Sequence, residues 1–231
     1  MIISTNSPYF APYPGFFQKA FLADVFIILD TVQFPRGTTW ISRNRFKNDQ
    51  GSLWMTIPVW KKGLGIQRIS DVRICHEGHW AKKHLASLKQ AYRHAPYFED
   101  HRAFIEKIFP FPFEKLVDLN LEIIRYLMDV LDIKTEVILL SETGIEASGD
   151  QLLIEISRHF GVSKFLSQQC AQKYLSTYLF DHAGIELRFF KPPALIYPQL
   201  WGEFIGNLSV FDLIFNCGPK SKELLTQSLA Q

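Results

Sequence analysis

The chain has 231 residues, of which 47% are hydrophobic and 21% are charged, and its formal net charge is +2. This composition is typical of a globular protein with a sizeable core; it excludes a disordered chain, and the small net charge gives no reason to expect a nucleic-acid partner. We expect no membrane span and a cytoplasmic location, because no run of about 18 apolar residues and no export signal occurs.

The N-terminal segment predicts a β-α-β unit over residues 1–30. Ile2–Ser4 reads as a buried strand, and the apolar spacing after Pro14 predicts a helix that begins near that proline. Val25–Leu29 is apolar on both faces, as in a parallel strand that is covered on two sides. Asp30 then follows the carboxyl end of a strand, which is the edge where ligands bind in open α/β sheets.

The next segments predict a hairpin and then a helical block. A loop precedes the turn Asn48–Gly51 and a strand-like Leu53–Val59, and alternation over Ile66–Ile74 predicts a further strand. Apolar residues three and four apart predict three helices within the subregion 80–132, which are Trp80–Tyr92, Tyr97–Ile108 and Phe113–Leu131.

Strands and helices alternate again towards the C-terminus. The predicted strands are Thr135–Leu140, Lys164–Ser167 and Ile185–Phe190, and the predicted helices are Gln151–Phe160, Cys170–Phe180 and Leu208–Cys217. This order favours one α/β domain over residues 1–231: a mainly parallel, Rossmann-like sheet built from both chain ends, with a central helical block and a small hairpin insertion.

The turn Ser7–Gly15 is the first candidate site. It opens on the N-terminus of the first helix, where unpaired N–H groups and the helix dipole favour an anion. Its prolines make it stiff and Gly15 permits close backbone approach, so Ser7, Tyr9 and Gly15 are candidate nucleotide ligands. The alternative is a proline-rich connector whose aromatic residues pack in the core.

The segment from Asp30 to Lys47 is the second candidate site, and we expect it to share a crevice with the turn. Its arginines can clamp a phosphate, and Trp40 can stack on a planar ring. The alternative is a solvated basic loop. The candidates here are Asp30, Gln33, Arg36, Trp40, Arg43, Asn44 and Arg45.

Smaller signals complete the set. Ser167 lies where a strand meets a helix, Gln199 lies in a loop after a strand, and Ser209 reads as a helix cap. The spacing of His76, His79 and His84 fits no common zinc pattern, so we predict no metal site. The three cysteines, Cys75, Cys170 and Cys217, suit buried reduced thiols.

Several motifs together resemble the WbqC-like family along essentially the whole chain. They are Ser7–Phe17, Ala23–Phe26, Leu29–Phe34, Arg43–Arg45, Trp80–Leu85, Ala91–Tyr92, Ala95–Phe98, Phe165–Ser167, Tyr174–Leu175, Tyr197–Gln199 and Leu208–Gly218. The chain departs from the family pattern at Ser7, where glutamine is frequent, and at Gln168, where glycine is common.

The resemblance implies a role in bacterial surface-polysaccharide biosynthesis, in O-antigen or lipopolysaccharide clusters, as a transferase of a glycyl or aminoacyl group to an amino sugar. ATP or a nucleotide-sugar is the expected small-molecule ligand, with the cofactor otherwise unknown, and a homodimer is conceivable. The catalytic candidates are Asp30, Arg43 and Gln199. The alternative is a non-catalytic protein of the same pathway that binds a nucleotide-sugar or a partner.

A weaker similarity links the opening unit to nucleotidylyltransferases with a HIGH motif, and it implies a HUP-like architecture. In those enzymes a histidine follows the glycine at the helix start. Here Phe16 follows Gly15, so adenylyl transfer by that residue set is not expected.

Overall fold

A computed structural model describes residues 1–229 and shows a five-stranded parallel sheet in the order β5-β2-β1-β6-β7. The strands come from both ends of the chain, as predicted, and a two-stranded hairpin is inserted after β2. The sheet contains β1 (Ile2–Asn6), β2 (Val25–Ile28), β5 (Glu136–Leu139), β6 (Lys164–Gln168) and β7 (Glu186–Phe190), and the hairpin contains β3 (Arg43–Asn48) and β4 (Gly51–Thr56).

The helices cover both faces of the sheet and build the predicted block between β4 and β5. They are α1 (Pro14–Phe21), α2 (Trp80–Tyr92), α3 (Phe98–Ile108), α4 (Leu116–Val130), α5 (Leu140–Thr143), α6 (Gly149–His159), α7 (Thr177–His182), α8 (Val210–Cys217) and α9 (Lys220–Gln227). Short 3₁₀ turns occur at Ile69–Asp71 and Gln169–Lys173.

Strand β2 shows why the sequence is apolar on both of its faces. Phe26 packs with Phe16 of α1 in the larger core, whereas Ile27 packs with Phe180 of α7 in a second core. All four residues of β2 are buried. Burial on both sides of a parallel strand removes the polar alternation that a half-exposed strand would show.

The connections of the sheet change direction between its two neighbouring strands β1 and β6. From β1 the chain crosses through α1 to β2 on one side, and from β6 it crosses through α7 to β7 on the other side. Ser4 of β1 pairs with Phe26 on one side and Leu166 on the other. Such a topological switch point leaves a crevice at the carboxyl ends of the two strands, where ligands bind in open α/β sheets.

Two sequence predictions of regular structure were wrong. Ile66–Ile74 is not a strand but a 3₁₀ turn flanked by isolated bridges, because neighbouring residues pair with different segments: Arg68 with Gln33, and Ile74 with Val59. The helix predicted over Cys170–Phe180 is broken before Thr177, where the Ser176 N–H donates to the Asp150 carboxylate at 3.1 Å. The final helix α9 was not predicted.

Candidate functional site

A cavity of about 380 Å³ lies at the switch point. We call it the switch-point cavity. Its volume lies within the range of small-molecule sites. It is bounded by the turn that follows β1, the end of β6, the hairpin and the segment before α8. Its lining residues are Tyr9, Tyr13, Trp40, Asn44, Arg45, Gln168, Cys170 and Asn207. Tyr9, Trp40, Asn44 and Arg45 were predicted, so the structure brings together part of each candidate site.

Two buried asparagines hold the turn after β1 in one conformation. The Asn44 amide donates to the carbonyls of Phe10 at 3.1 Å and Ala11 at 2.7 Å, and Asn120 donates to the Pro8 carbonyl at 2.7 Å. Ala11 has a φ of 43°, which is rare for a residue with a side chain. The turn is therefore fixed by several hydrogen bonds, and the positions of Tyr9 and Tyr13 are fixed with it.

An aromatic stack ends at the cavity. The rings of Trp40 and Trp54 lie 5.8 Å apart at 27°, and the Arg43 guanidinium lies 3.8 Å from the centre of the Trp54 ring. Trp40 is 44% exposed and lines the cavity. A planar ligand group can extend this stack, because aromatic rings favour offset stacking. Arg43, which was predicted as a catalytic residue, contacts the Trp54 ring of this stack and does not line the cavity.

Among the described residues that line the switch-point cavity, Arg45 is the one with a basic side chain. Its Nη2 group donates to the carbonyls of Gly206 at 3.2 Å and Asn207 at 3.4 Å. Asn207 has a φ of 55°. These bonds tie the hairpin to the segment before α8 and place a positive charge at the cavity, where it can attract an anionic ligand.

A chain of polar side chains lies beneath the cavity. The Lys19 ammonium donates to the Thr5 carbonyl at 2.7 Å and to Asn6 Oδ1 at 2.9 Å. The Gln168 amide donates to the same Asn6 oxygen at 3.2 Å and to the Tyr13 hydroxyl at 3.4 Å. Burial lowers the pKa of Lys19 to about 7 and raises the pKa of Tyr13 to about 12.

The expectation that the cysteines are buried was wrong for Cys170. Its side chain is exposed on the cavity wall, and the thiol donates to Gln168 Oε1 at 3.6 Å. The reason is the 3₁₀ turn Gln169–Lys173, none of whose residues is buried. Cys217 is buried, as expected, and burial raises its pKa to about 11.

The polar residues that follow β2 lie elsewhere. Asp30 is 3% exposed, and its carboxylate accepts a hydrogen bond from the Ser141 N–H at 3.0 Å, next to a separate cavity of about 530 Å³. Gln33 forms a bridge with Arg68, and Arg36 lines a third cavity with Lys61. The structure therefore does not bring Asp30, Gln33 or Arg36 into the lining of the switch-point cavity.

The remaining predicted residues are also outside the lining. A side chain at Gly15 would meet Tyr13 and lie 2.7 Å from Pro192, so protein atoms fill the space beside this glycine. Ser7 is half-buried, and Ser167 is 8% exposed within β6. The Gln199 amide bonds to the backbone N–H and carbonyl of Ile205, at 3.0 and 2.9 Å.

The sequence profile of the WbqC-like protein family matches residues 7–224. The chain belongs to this family. It is also 28% identical over 226 residues to the uncharacterized protein Rv1507c of Mycobacterium tuberculosis, a match that covers 97% of this chain and 96% of that protein. No solved structure matches the chain. The similarity to HIGH-motif nucleotidylyltransferases is not shown by these comparisons.

The region matched by the WbqC-like profile contains all eight residues that line the cavity. Tyr13, Gln168, Cys170 and Asn207 were not predicted as site residues. Tyr13 stood within the candidate turn, but the other three come from distant parts of the chain. Only the pairing of β1 with β6 reveals that Gln168 and Cys170 lie beside that turn.

Over residues 1–229, no group of three or more His, Cys, Asp or Glu side chains is arranged to hold a metal ion. None of the helices in that range has the length and apolar character needed to cross a membrane.

A second buried polar cluster lies behind the hairpin of this WbqC-like chain. The fully buried Asp212 carboxylate accepts hydrogen bonds from the Tyr92 hydroxyl at 2.8 Å and the Tyr197 hydroxyl at 2.9 Å. The Lys47 ammonium donates to Gln199 Oε1 at 3.1 Å and to the Glu203 carbonyl at 2.6 Å. We call Asp212, Tyr92, Tyr197, Lys47 and Gln199 the Asp212 cluster. The amide of Gln199 bonds to Lys47 and to the backbone of Ile205, so its polar atoms are bonded within the protein.

Proposed function

We propose that this protein binds a nucleotide or a nucleotide-sugar in the switch-point cavity and transfers a glycyl or aminoacyl group to an amino sugar, as a cytoplasmic enzyme of bacterial surface-polysaccharide (O-antigen) biosynthesis. One observation supports ligand binding most strongly: a cavity with aromatic, amide and arginine side chains lies at the sheet's topological switch point. The polysaccharide role rests on the resemblance to the family.

In this proposal the nucleobase stacks on Trp40 and the phosphates lie near Arg45. Trp40 already ends an aromatic stack and is open on the cavity side. Arg45 is held by two backbone carbonyls, so its charge is positioned before the ligand arrives. The amides of Asn44 and Gln168 and the hydroxyls of Tyr9 and Tyr13 supply polar contacts for the sugar.

The transfer requires an activated acyl donor, such as an acyl-adenylate or a thioester. The neutral amine of the sugar attacks the acyl carbonyl carbon, a C–N bond forms, and the bond from that carbon to the leaving group breaks. The amine proton leaves with the departing group or with a base. Asp30, Arg43 and Gln199 lie outside the lining, so in this proposal they hold neighbouring segments rather than touch the ligand.

Ligand binding is tested with a panel of nucleotides and nucleotide-sugars by thermal shift and calorimetry. Trp40→Ala should weaken binding of the best ligand about tenfold, because base stacking on an aromatic ring contributes about 1–3 kcal/mol. Trp60→Ala is the matched control, since Trp60 is also 44% exposed but lies outside the cavity. Equal affinities of the two variants would show that the ligand does not stack on Trp40.

Transfer is tested by mass spectrometry of incubations that contain an amino-sugar nucleotide, glycine and ATP, or a glycyl thioester. The expected product is the amino sugar with one glycyl group in amide linkage. Arg45→Ala should lower its yield, whereas Arg73→Ala should not, because Arg73 lies on the surface in a pair with Glu114.

The homodimer stays a prediction that gel filtration can test.

The second candidate function is a non-catalytic protein that binds a nucleotide-sugar. One observation favours it: among the described residues, those that line the cavity include an arginine but no carboxylate. A carboxylate is a common general base for an amine. Tight binding with no glycyl product from any of these donors would favour this alternative over the transferase.

A further inference from the structure

Lys19 is a buried cation whose partners are all neutral. It is 2% exposed, and its ammonium bonds to the Thr5 carbonyl and the Asn6 side chain. Within residues 1–229, Lys19 forms no salt bridge. Burying an ammonium group without an opposite charge costs free energy, and this cost is usually offset by an anion. Among the described residues no carboxylate offsets this cost for the protonated form of Lys19.

The position of Lys19 connects it to the switch-point cavity. Its ammonium shares the Asn6 Oδ1 acceptor with Gln168, which lines the cavity, so the cation is two hydrogen bonds away from the wall. Cys170, which also lines the cavity, is close enough that a negative charge on its sulfur would raise the pKa of Lys19. An anion in the cavity therefore lies within electrostatic reach of Lys19.

We propose that Lys19, which is linked to the cavity wall through Asn6 and Gln168, provides the buried positive charge that favours phosphate groups in the switch-point cavity. This inference rests on the proposed function, because it assigns the phosphate-binding charge of that same site. Arg45 of the hairpin also lines the cavity and is half-buried, so in this proposal the ligand phosphates are attracted by one half-buried and one fully buried cation. Lys19 acts through its charge and does not touch the ligand.

The surroundings of Lys19 define how proton binding is linked to ligand binding. The groups that face it are Thr5 and Asn6 from β1, the Phe26 ring from β2 at 5.7 Å, and Cys170 after β6. Burial lowers its pKa to about 7, so much of the free protein has neutral Lys19 at pH 8. A bound phosphate would raise this pKa, so binding at pH 8 should take up a proton and weaken as the pH rises.

The first experiment combines a charge-removing variant with ligands of different charge. Affinities of wild type and Lys19→Met are measured for three pairs, UDP and uridine, ADP and adenosine, and GDP and guanosine. For the nucleobase that binds, Lys19→Met should lower the affinity for the diphosphate about tenfold, because the variant loses one buried positive charge near the phosphates. The affinity for the nucleoside, which has no phosphate, should not change. Retained nucleoside binding also shows that the variant is folded.

Lys47→Met is the matched control. Lys47 is also buried and also bonds to one carbonyl and one side-chain amide oxygen, but its partner Gln199 bonds onward to Ile205, which does not line the cavity. It should change the affinities for diphosphate and nucleoside by the same factor. A loss in Lys19→Met that is equal for both ligands would mean that Lys19 only shapes the cavity, and the inference would fail.

The second experiment uses wild type, so it does not depend on whether the variant folds. Calorimetry of the diphosphate at pH 8, in buffers of different ionisation enthalpy, should show net proton uptake by wild type, and Lys19→Met should lose it. Absence of uptake together with tight binding overturns the role of Lys19 and leaves the proposed function standing. If none of the three diphosphates binds to wild type, nucleotide binding itself fails, and the inference fails with it.

Discussion

Lys19 and Lys47 are two buried lysines with the same kind of hydrogen-bond partners and different electrostatic surroundings. Each donates to one backbone carbonyl and one side-chain amide oxygen. Burial lowers the pKa of both, but the Asp212 carboxylate partly offsets this for Lys47. The charge of Lys47 is compensated by a carboxylate of the protein itself. In our proposal the charge of Lys19 is compensated by the phosphate groups of a bound ligand.

The Asp212 carboxylate is buried but has hydrogen-bond donors and a cation around it. Burial raises the pKa of Asp212, while hydrogen bonds from Tyr92 and Tyr197 and the charge of Lys47 lower it. The carboxylate thus has two hydroxyl donors and a cation nearby. This closed arrangement joins α2, α8, the hairpin and the loop around Gln199, and it should act on stability rather than on ligand binding.

The largest expected effect is therefore at Asp212. Asp212→Ala removes the acceptor of two buried hydroxyl groups and the opposite charge near Lys47, so the free energy of unfolding should fall by about 3–5 kcal/mol. Urea denaturation measures it. Asp212→Asn keeps one acceptor and should lose less. A loss below that of a typical surface substitution would show that the cluster does not stabilise the fold.

The next effect is at Lys47. Lys47→Met leaves the Glu203 carbonyl without its donor and removes the cation near the buried Asp212 carboxylate. The free energy of unfolding should therefore fall by about 1–3 kcal/mol. A double-mutant cycle measures the coupling of the two residues. It compares the urea denaturation of wild type, Lys47→Met, Asp212→Asn and the variant with both substitutions. Strictly additive losses would contradict the electrostatic coupling of the two residues.

A smaller effect is expected at Lys19 itself. Lys19→Met keeps a chain of similar length and removes a charge that no carboxylate compensates, while Asn6 still accepts from Gln168. The free energy of unfolding at pH 7 should therefore change by less than about 1 kcal/mol, in either direction. Denaturation of both methionine variants under one condition tests the contrast. A larger loss from Lys19→Met than from Lys47→Met would reverse the comparison.

The sequence alone predicted the regular elements better than the site. Helix α2 was predicted with its observed ends, because an amphipathic helix has a local pattern, whereas Ile66–Ile74 pairs with several distant segments and no local pattern shows that. Arg45 and Trp40 stood out within one short basic segment. Lys19 did not, because a lysine on an amphipathic helix is normally exposed, and only the approach of α1 to the end of β1 buries it.

Topology explains the rest of the difference. Asp30 and the turn after β1 were expected to share a crevice, since both follow neighbouring strands. The crevice opens instead between β1 and β6, which are more than 150 residues apart in the sequence. Asp30 follows β2 on the other side of β1, where its carboxylate holds the Ser141 N–H. The order of the strands, which no local pattern encodes, decides which polar residues meet.

The last contrast is a pH dependence that separates the two lysines. Lys19 has a folded pKa of about 7 and an ordinary unfolded pKa of 10.5, so between these values the unfolded chain binds more protons than the folded protein. This contribution makes wild type more stable as the pH rises from 7 to 9.5, and it is constant below pH 7. Stability is measured below pH 10, before unfolded tyrosines ionise.

Because wild type gains stability over this range and Lys19→Met lacks the titrating group, the stability of Lys19→Met relative to wild type should decrease as the pH rises. The corresponding difference for Lys47→Met should change less, because Asp212 opposes the lowering of its pKa. Parallel curves for wild type and Lys19→Met would mean that Lys19 remains protonated in the free protein, and its charge would then have to be compensated by the fold, as it is for Lys47.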